Sequence, residues 1–295
     1  MNHLTRVSKL ILGTVQFGTR YGINNQAGQP TASSVFKIFD VARNAGVVNL
    51  DTAEDYGTAQ QIIGDYHANH DLGDRFEVIS KISHGFVGGS IEGHLLDSLS
   101  VLKLHILEGY LFHNYQMYRN SPELLTALVG LKERGWVKKI GVSVYSNEQI
   151  AAAITDRQCD IIQIPFNLLD NFTQKGYLLE KAKELGKEIH VRSVYLQGLF
   201  FMESSLIPAY LRPLEPYLSK IKALAEEAAV NLESLALQYI AENEHIDKML
   251  IGVDSVEQLT ENISALSAPL DKAIFKEIDK IKVQETPLLN PVNWK

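Results

Sequence analysis

The chain has a single cysteine, Cys159, among 295 residues, so it can form no internal disulfide and no thiolate metal cluster. Flanked by Gln158 and Asp160, this cysteine reads as a small buried hydrophobe rather than a reactive thiol. A basic excess is also missing. The 28 Lys and Arg stand against 35 Asp and Glu, a formal net charge of -7, which argues against nucleic acid or an anionic membrane as partner, since both need clustered Lys and Arg. No apolar stretch approaches the roughly 20 residues of a membrane span, and Met1-Asn2-His3-Leu4-Thr5-Arg6 lacks the apolar core of a signal peptide; a cytoplasmic protein is expected. None of the nine histidines falls in an H-x-H or H-E-x-x-H pair, so metal-dependent hydrolysis is disfavoured and no metal site is expected. The chain also lacks an internal repeat, a low-complexity tract or a linker that would split it.

What is present is a full complement of core residues, 45% of the sequence, in short β-branched runs separated by amphipathic stretches. Eight runs read as strands: Leu10 to Gly13, Val47 to Asp51, Glu77 to Lys81, Glu108 to His113, Lys139 to Ser143, Ile161 to Pro165, Glu188 to Arg192 and Lys248 to Gly252. Eight strand-helix units predict an α/β fold, a closed (β/α)8 TIM barrel, and single barrels commonly reach about 250 residues, so residues 1–295 are expected to form one domain. Ser33 or Ser34 is expected to cap one helix, and Ser121-Pro122 to open another that stops near Gly135. The long interval Leu196 to Pro216, with Gly198, Pro208, Pro213 and Pro216, reads as a loop over the barrel mouth. After the eighth strand come an extra C-terminal helix and an irregular tail from Val283. Gly85-Phe86-Val87-Gly88-Gly89-Ser90 matches neither nucleotide-binding fingerprint and reads as a loop with Ser90 as a helix cap.

Four polar residues follow or end three of the apolar runs. Asp51 closes Val47-Val48-Asn49-Leu50 and leads through Asp51-Thr52-Ala53-Glu54-Asp55 into Tyr56-Gly57; Lys81 closes Phe76-Glu77-Val78-Ile79-Ser80; His113 closes Tyr110-Leu111-Phe112. In a barrel the C-terminal strand ends point into one mouth, so these residues should meet there. Together a phenol, an amine, a carboxylate and an imidazole can deliver a proton to a carbonyl oxygen. A free tyrosine with a pKa of about 10 is a poor proton source at neutral pH. A neighbouring ammonium, Lys81, held charged by Asp51, is expected to lower the pKa of Tyr56, while neutral His113 orients the carbonyl.

With these residues the chain resembles the aldo-keto reductase superfamily. Leu12-Gly13-Thr14-Val15-Gln16-Phe17-Gly18 is similar to the family's opening strand, Asp51-Thr52-Ala53 through Tyr56-Gly57 to its signature, and Gly141-Val142-Ser143 to its fifth strand. Gln163-Ile164-Pro165-Phe166-Asn167 and Gly252-Val253 through Gln258-Leu259-Thr260-Glu261-Asn262 also match. The resemblance implies NAD(P)H-dependent reduction of an aldehyde, ketone or sugar carbonyl, with Asp51, Tyr56, Lys81 and His113 as the catalytic tetrad. It implies that Ser143 and Gln163 bind the nicotinamide carboxamide, that Gly13 and Thr14 line the nicotinamide, and that Glu261 and Asn262 reach the adenine, with Gly252, Asp254 and Gln258 in the same cofactor segment. Val144 stands where the family often has Asn, and the aromatic platform under the nicotinamide falls near Arg192-Ser193-Val194-Tyr195. The family usually places Lys or Arg after the eighth strand for the 2′-phosphate of NADPH. This chain has Asp254, which would repel it, so NADP(H) is the expectation by resemblance and NAD(H) its competitor. Trp294 is a candidate wall of the substrate pocket, with packing on the barrel's outside as the other reading. A cofactor-binding regulatory or redox-sensing module is the alternative to an enzyme. A Schiff-base lyase would need an uncharged Lys81, and Asp51 opposes that.

Overall fold

The computed structural model describes residues 3–25, 28–86 and 88–294. Its strands are β1 (Leu10–Gly13), β2 (Asn49–Asp51), β3 (Glu77–Ile82), β4 (Leu107–Phe112), β5 (Val137–Ser143), β6 (Ile161–Pro165), β7 (Glu188–Arg192) and β8 (Lys248–Ile251). They pair in parallel in chain order, and β8 returns to β1 to close the barrel. This is the (β/α)8 architecture, with the Val256–Ala265 and Ile274–Asp279 helices after the last strand. Val47 and Val48 precede the paired residues of β2, and His113 and Gly252 lie one position beyond theirs.

The helices differ from expectation in detail. The Ala32–Asn44 helix is capped by Thr31, whose side chain accepts from the Ser34 amide, so Ser33 and Ser34 lie inside the first turn. Ser90 caps the Ile91–Leu102 helix by accepting from the Gly93 amide; Val87 of the preceding loop lies outside the described residues. Pro122–Glu133 begins one residue after Ser121. The long interval after β7 is wound into short 3-10 turns, Leu196–Phe201, Ser204–Leu206 and Ala209–Leu214. No helix among the described residues is long and apolar enough to cross a membrane.

Side-chain alternation explains how the barrel places the site. Ile11, Ile79, Leu111 and Ile161 form a small cluster of their own, whereas their strand neighbours Leu10, Leu12, Val78, Tyr110, Phe112 and Ile162 join the large cluster shared with the helices. Successive strand residues face opposite sides, so the small cluster is the barrel interior and the large one the barrel-helix layer. Two positions further along the same inward files stand Gly13, Lys81, His113 and Gln163. Asp51, in register with Gly13 and Ile79, joins them. The polar residues thus form the layer above the apolar plug.

The opposite end of the barrel is closed by charge. Lys139 bridges Glu108 at 3.0 Å and Glu188 at 2.6 Å, His190 Nε2 lies 2.8 Å from Glu188, and Lys248 donates to Asn49, which donates to Glu77. Burial would raise the Glu188 carboxyl, but His190 and Lys139 outweigh it and hold it down at about 2.

The turn carrying Tyr56 is fixed by backbone contact. A Cβ on Gly18 would fall 1.7 Å from the Tyr56 carbonyl oxygen, and one on Gly57, whose φ is +54°, would fall 2.3 Å from the Gly18 carbonyl oxygen. No side chain larger than hydrogen fits at either position without moving the other loop.

Two outcomes follow from this packing. Gly18→Ala is expected to cost about 1–3 kcal/mol and to lower turnover by displacing Tyr56, measured by urea unfolding alongside steady-state kinetics. Because the folded pKa of Glu188 is depressed, its contribution to stability is present above the unfolded value near 4.5 and is lost as pH falls toward about 2. Glu188→Gln should therefore be less stable than the parent at pH 7, and the gap should narrow on acidification, measured by denaturant melts at each pH.

Candidate active site

At the C-terminal mouth the buried Lys81 ammonium is paired with Asp51 Oδ1 and donates to the Thr52 carbonyl at 3.1 Å. The second carboxylate oxygen of Asp51 accepts from Gln163 Nε2 at 2.9 Å. Both oxygens of the carboxylate are therefore engaged, and the amine has no freedom to leave it. Lys81 Nζ sits 5.2 Å from the centre of the Tyr56 ring, and the His113 ring meets Tyr56 edge-on with centres 5.7 Å apart. Residues from β2, β3 and β4 thus converge on one point, as the alternation of the strands requires.

The electrostatics differ from expectation at one residue. Burial, then the Asp51 carboxylate, push the Tyr56 phenol up, while Arg192 pulls it down. The lowered phenol expected from Lys81 is not the resting condition, because burial and the Asp51 carboxylate outweigh the pull of nearby cations. Burial lowers the Lys81 pKa and Asp51 opposes that. His113 is pushed down to about 3, by burial first and then by Lys81 and His84, against the pull of Asp55. Its imidazole is neutral at physiological pH, as the sequence suggested.

These groups open into a cavity of about 500 Å³. Gly13, Thr14, Asp51, Tyr56, Lys81, His113, Ser143, Gln163, Gly252, Asp254, Gln258, Glu261 and Asn262 all line it. Trp294 does not: its indole donates to the Leu288 carbonyl at 2.8 Å and it packs against the large core cluster. Asn262 accepts from the Tyr195 hydroxyl, and the Asp254 amide donates to Gln258 Oε1 at 2.8 Å.

Several lining residues went unassigned from sequence. Arg192, at the end of β7, lies with its guanidinium 4.1 Å from the Tyr145 ring centre and donates to the Val144 carbonyl at 3.1 Å. The rule that picked Lys81 and His113, a polar residue ending an apolar strand, also singles out Arg192. Tyr21, Tyr145, Gln197, Phe201 and Glu233 reach the cavity from loops and helices, where no strand periodicity marks them. Ser193, Leu196 and Gln197 have φ of 60°, 48° and 55°, so the backbone leaving β7 turns sharply through the left-handed region to deliver Gln197 to the wall.

The sequence profile of the Aldo/keto reductase family matches residues 9–283. The chain is similar to the uncharacterized oxidoreductase YrpG of Bacillus subtilis, 27% identical over 317 residues covering 94% of this chain and 92% of that protein. It is also similar to the uncharacterized oxidoreductase YqkF of the same organism, 25% identical over 285 residues, 89% of this chain and 88% of that protein. Among solved structures, the holo form of the aldo-keto reductase AKR11C1 from Bacillus halodurans superposes with a TM-score of 0.74 at 20% identity, covering 94% of each chain. A profile match that begins one residue before β1 and runs past the helices that follow β8 takes in the whole barrel: the chain belongs to the aldo/keto reductase family and is an NAD(P)H-dependent oxidoreductase.

Proposed function

We propose that this protein reduces the carbonyl of a small aldehyde, ketone or sugar to the alcohol, with Tyr56 as proton donor, Lys81 and Asp51 as its electrostatic support and His113 orienting the carbonyl oxygen. The observation that carries this reading is the Asp51–Lys81 pair held beside the Tyr56 ring at the floor of the cavity, with neutral His113 at its edge. When bound, a reduced nicotinamide supplies the hydride, and the proton falls to the chain. At rest Tyr56 is protonated at neutral pH, and burial makes its proton harder to lose. As the proton leaves, the tyrosinate gains the attraction of the fixed Lys81 ammonium, so the pair acts on the charge that develops rather than on the resting phenol.

The cavity also fits a nicotinamide dinucleotide by chemistry. Ser143 and Gln163, in register on β5 and β6, offer a hydroxyl and an amide, the complement a carboxamide needs, and Gly13 leaves room for a flat ring because no side chain projects there. The segment Gly252 to Asn262 contributes Asp254, Gln258, Glu261 and Asn262 and holds no Lys or Arg. We read this as a site without a cationic partner for a 2′-phosphate, which favours NADH over NADPH.

Tyr56→Phe should reduce kcat by roughly 10²- to 10⁴-fold and leave the dissociation constant for reduced nucleotide within about twofold; stopped-flow turnover and fluorescence titration read the two quantities separately, and near-normal turnover would remove Tyr56 as the acid. NADH should bind roughly tenfold more tightly than NADPH, and Asp254→Arg should reverse that order. Equal affinities in both proteins would sink the charge argument.

A further inference from the structure

We propose that Asp55, His84 and His113 form a binding site for a divalent transition-metal cation of the zinc type, set against the rim of the cavity. His84 Nδ1 lies 2.8 Å and His113 Nδ1 3.4 Å from the same Asp55 oxygen, and the three donor atoms all fall within 4.8 Å of one another. The two rings face each other with centres 3.9 Å apart. Two donors bound to one zinc at about 2.0–2.1 Å in a tetrahedron sit roughly 3.3 Å apart, so an ion fits here with small side-chain shifts.

His113 Nδ1 faces the same carboxylate as His84 but holds it loosely. The atom is buried, and its partner Asp55 stands 3.4 Å away, too long for a strong hydrogen bond. The carboxylate itself is already oriented: Asp55 accepts from the Ser83 hydroxyl at 2.6 Å and from the His84 amide at 2.7 Å. Such outer hydrogen bonds are what fixes a ligating carboxylate. His84 and Asp55 are 54% and 32% exposed at their side chains, which gives an ion and a fourth ligand water access from solvent. Two imidazole nitrogens and one carboxylate suit zinc, nickel or copper, and not magnesium or calcium, which take oxygen ligands. Lys81, a cation that bears on His113, is paired with Asp51.

Occupancy has a chemical consequence for His113. With no ion, a carboxylate facing Nδ1 favours the tautomer with hydrogen on Nδ1, which leaves Nε2 an acceptor. A coordinated Nδ1 carries no hydrogen, so the ring's hydrogen must sit on Nε2, making that nitrogen a donor. The ion would thus lock His113 in the tautomer that donates to a carbonyl oxygen, a tautomer the metal-free ring can also adopt. This consequence rests on the proposed role of His113, whereas the binding itself does not.

The test uses the full chain freed of metal by a chelator and titrated with zinc chloride against a chromophoric chelator. One high-affinity ion per chain is expected, weakened at least about tenfold in His84→Ala and separately in Asp55→Ala, with folding of each checked by circular dichroism. Nitrogen-15 spectra of histidine-labelled protein should show His113 passing to the Nε2–H form as zinc is added. Tyr56→Phe should bind zinc like the parent, so failure of the reductase reading leaves this measurement intact. Absence of stoichiometric binding, or unchanged affinity in both ligand variants, overturns the site. Zinc binding with His113 still protonated at Nδ1 removes His113 from it.

Discussion

A buried ion pair governs this molecule. Lys81 and Asp51 are both removed from water at the barrel mouth, where separate charges would each cost several kcal/mol. The pair is sustained because both carboxylate oxygens and the ammonium have partners: one oxygen binds the ammonium, the other Gln163, and the ammonium also binds the Thr52 carbonyl. Asp51 is therefore more than a counterion. Its carboxylate holds the Lys81 ammonium beside the Tyr56 ring and, with burial, raises the Tyr56 phenol.

The barrel imposes that pair geometrically. Alternation in strands only a few residues long puts an apolar layer of Ile11, Ile79, Leu111 and Ile161 inside, and the next inward position on each strand has no choice but to face the mouth. Apolar side chains below and polar ones above are thus one pattern read at two depths. The charged network of Glu188, Lys139, Glu108 and His190 closes the other end, so the interior is polar at both rims and apolar between them.

That regularity is why so much was legible in the sequence. Each strand ending in a polar residue announced both an element and a site position, and Asp51, Lys81 and His113 were found by the same pattern that located β2, β3 and β4. Where the pattern stops, legibility stops. Ser33, Ser34 and Thr31 are chemically equivalent caps, and only the path of the entering chain selects Thr31. Trp294 gave no periodic signal, and its indole is satisfied by the Leu288 carbonyl within the tail. Arg192 was visible as a strand end, but its stacking on Tyr145 depends on a residue after another strand. The Asp55, His84 and His113 grouping had no motif at all, because its members come from three separate loops and no short spacing joins them.

The contact between Gly18 and Gly57 ties two mouth loops together by their main chains alone. Where backbone touches backbone, neither segment can drift in relatives without the other. Divergence in what this enzyme accepts is therefore expected away from this contact, with the turn that carries Tyr56 held in place by it.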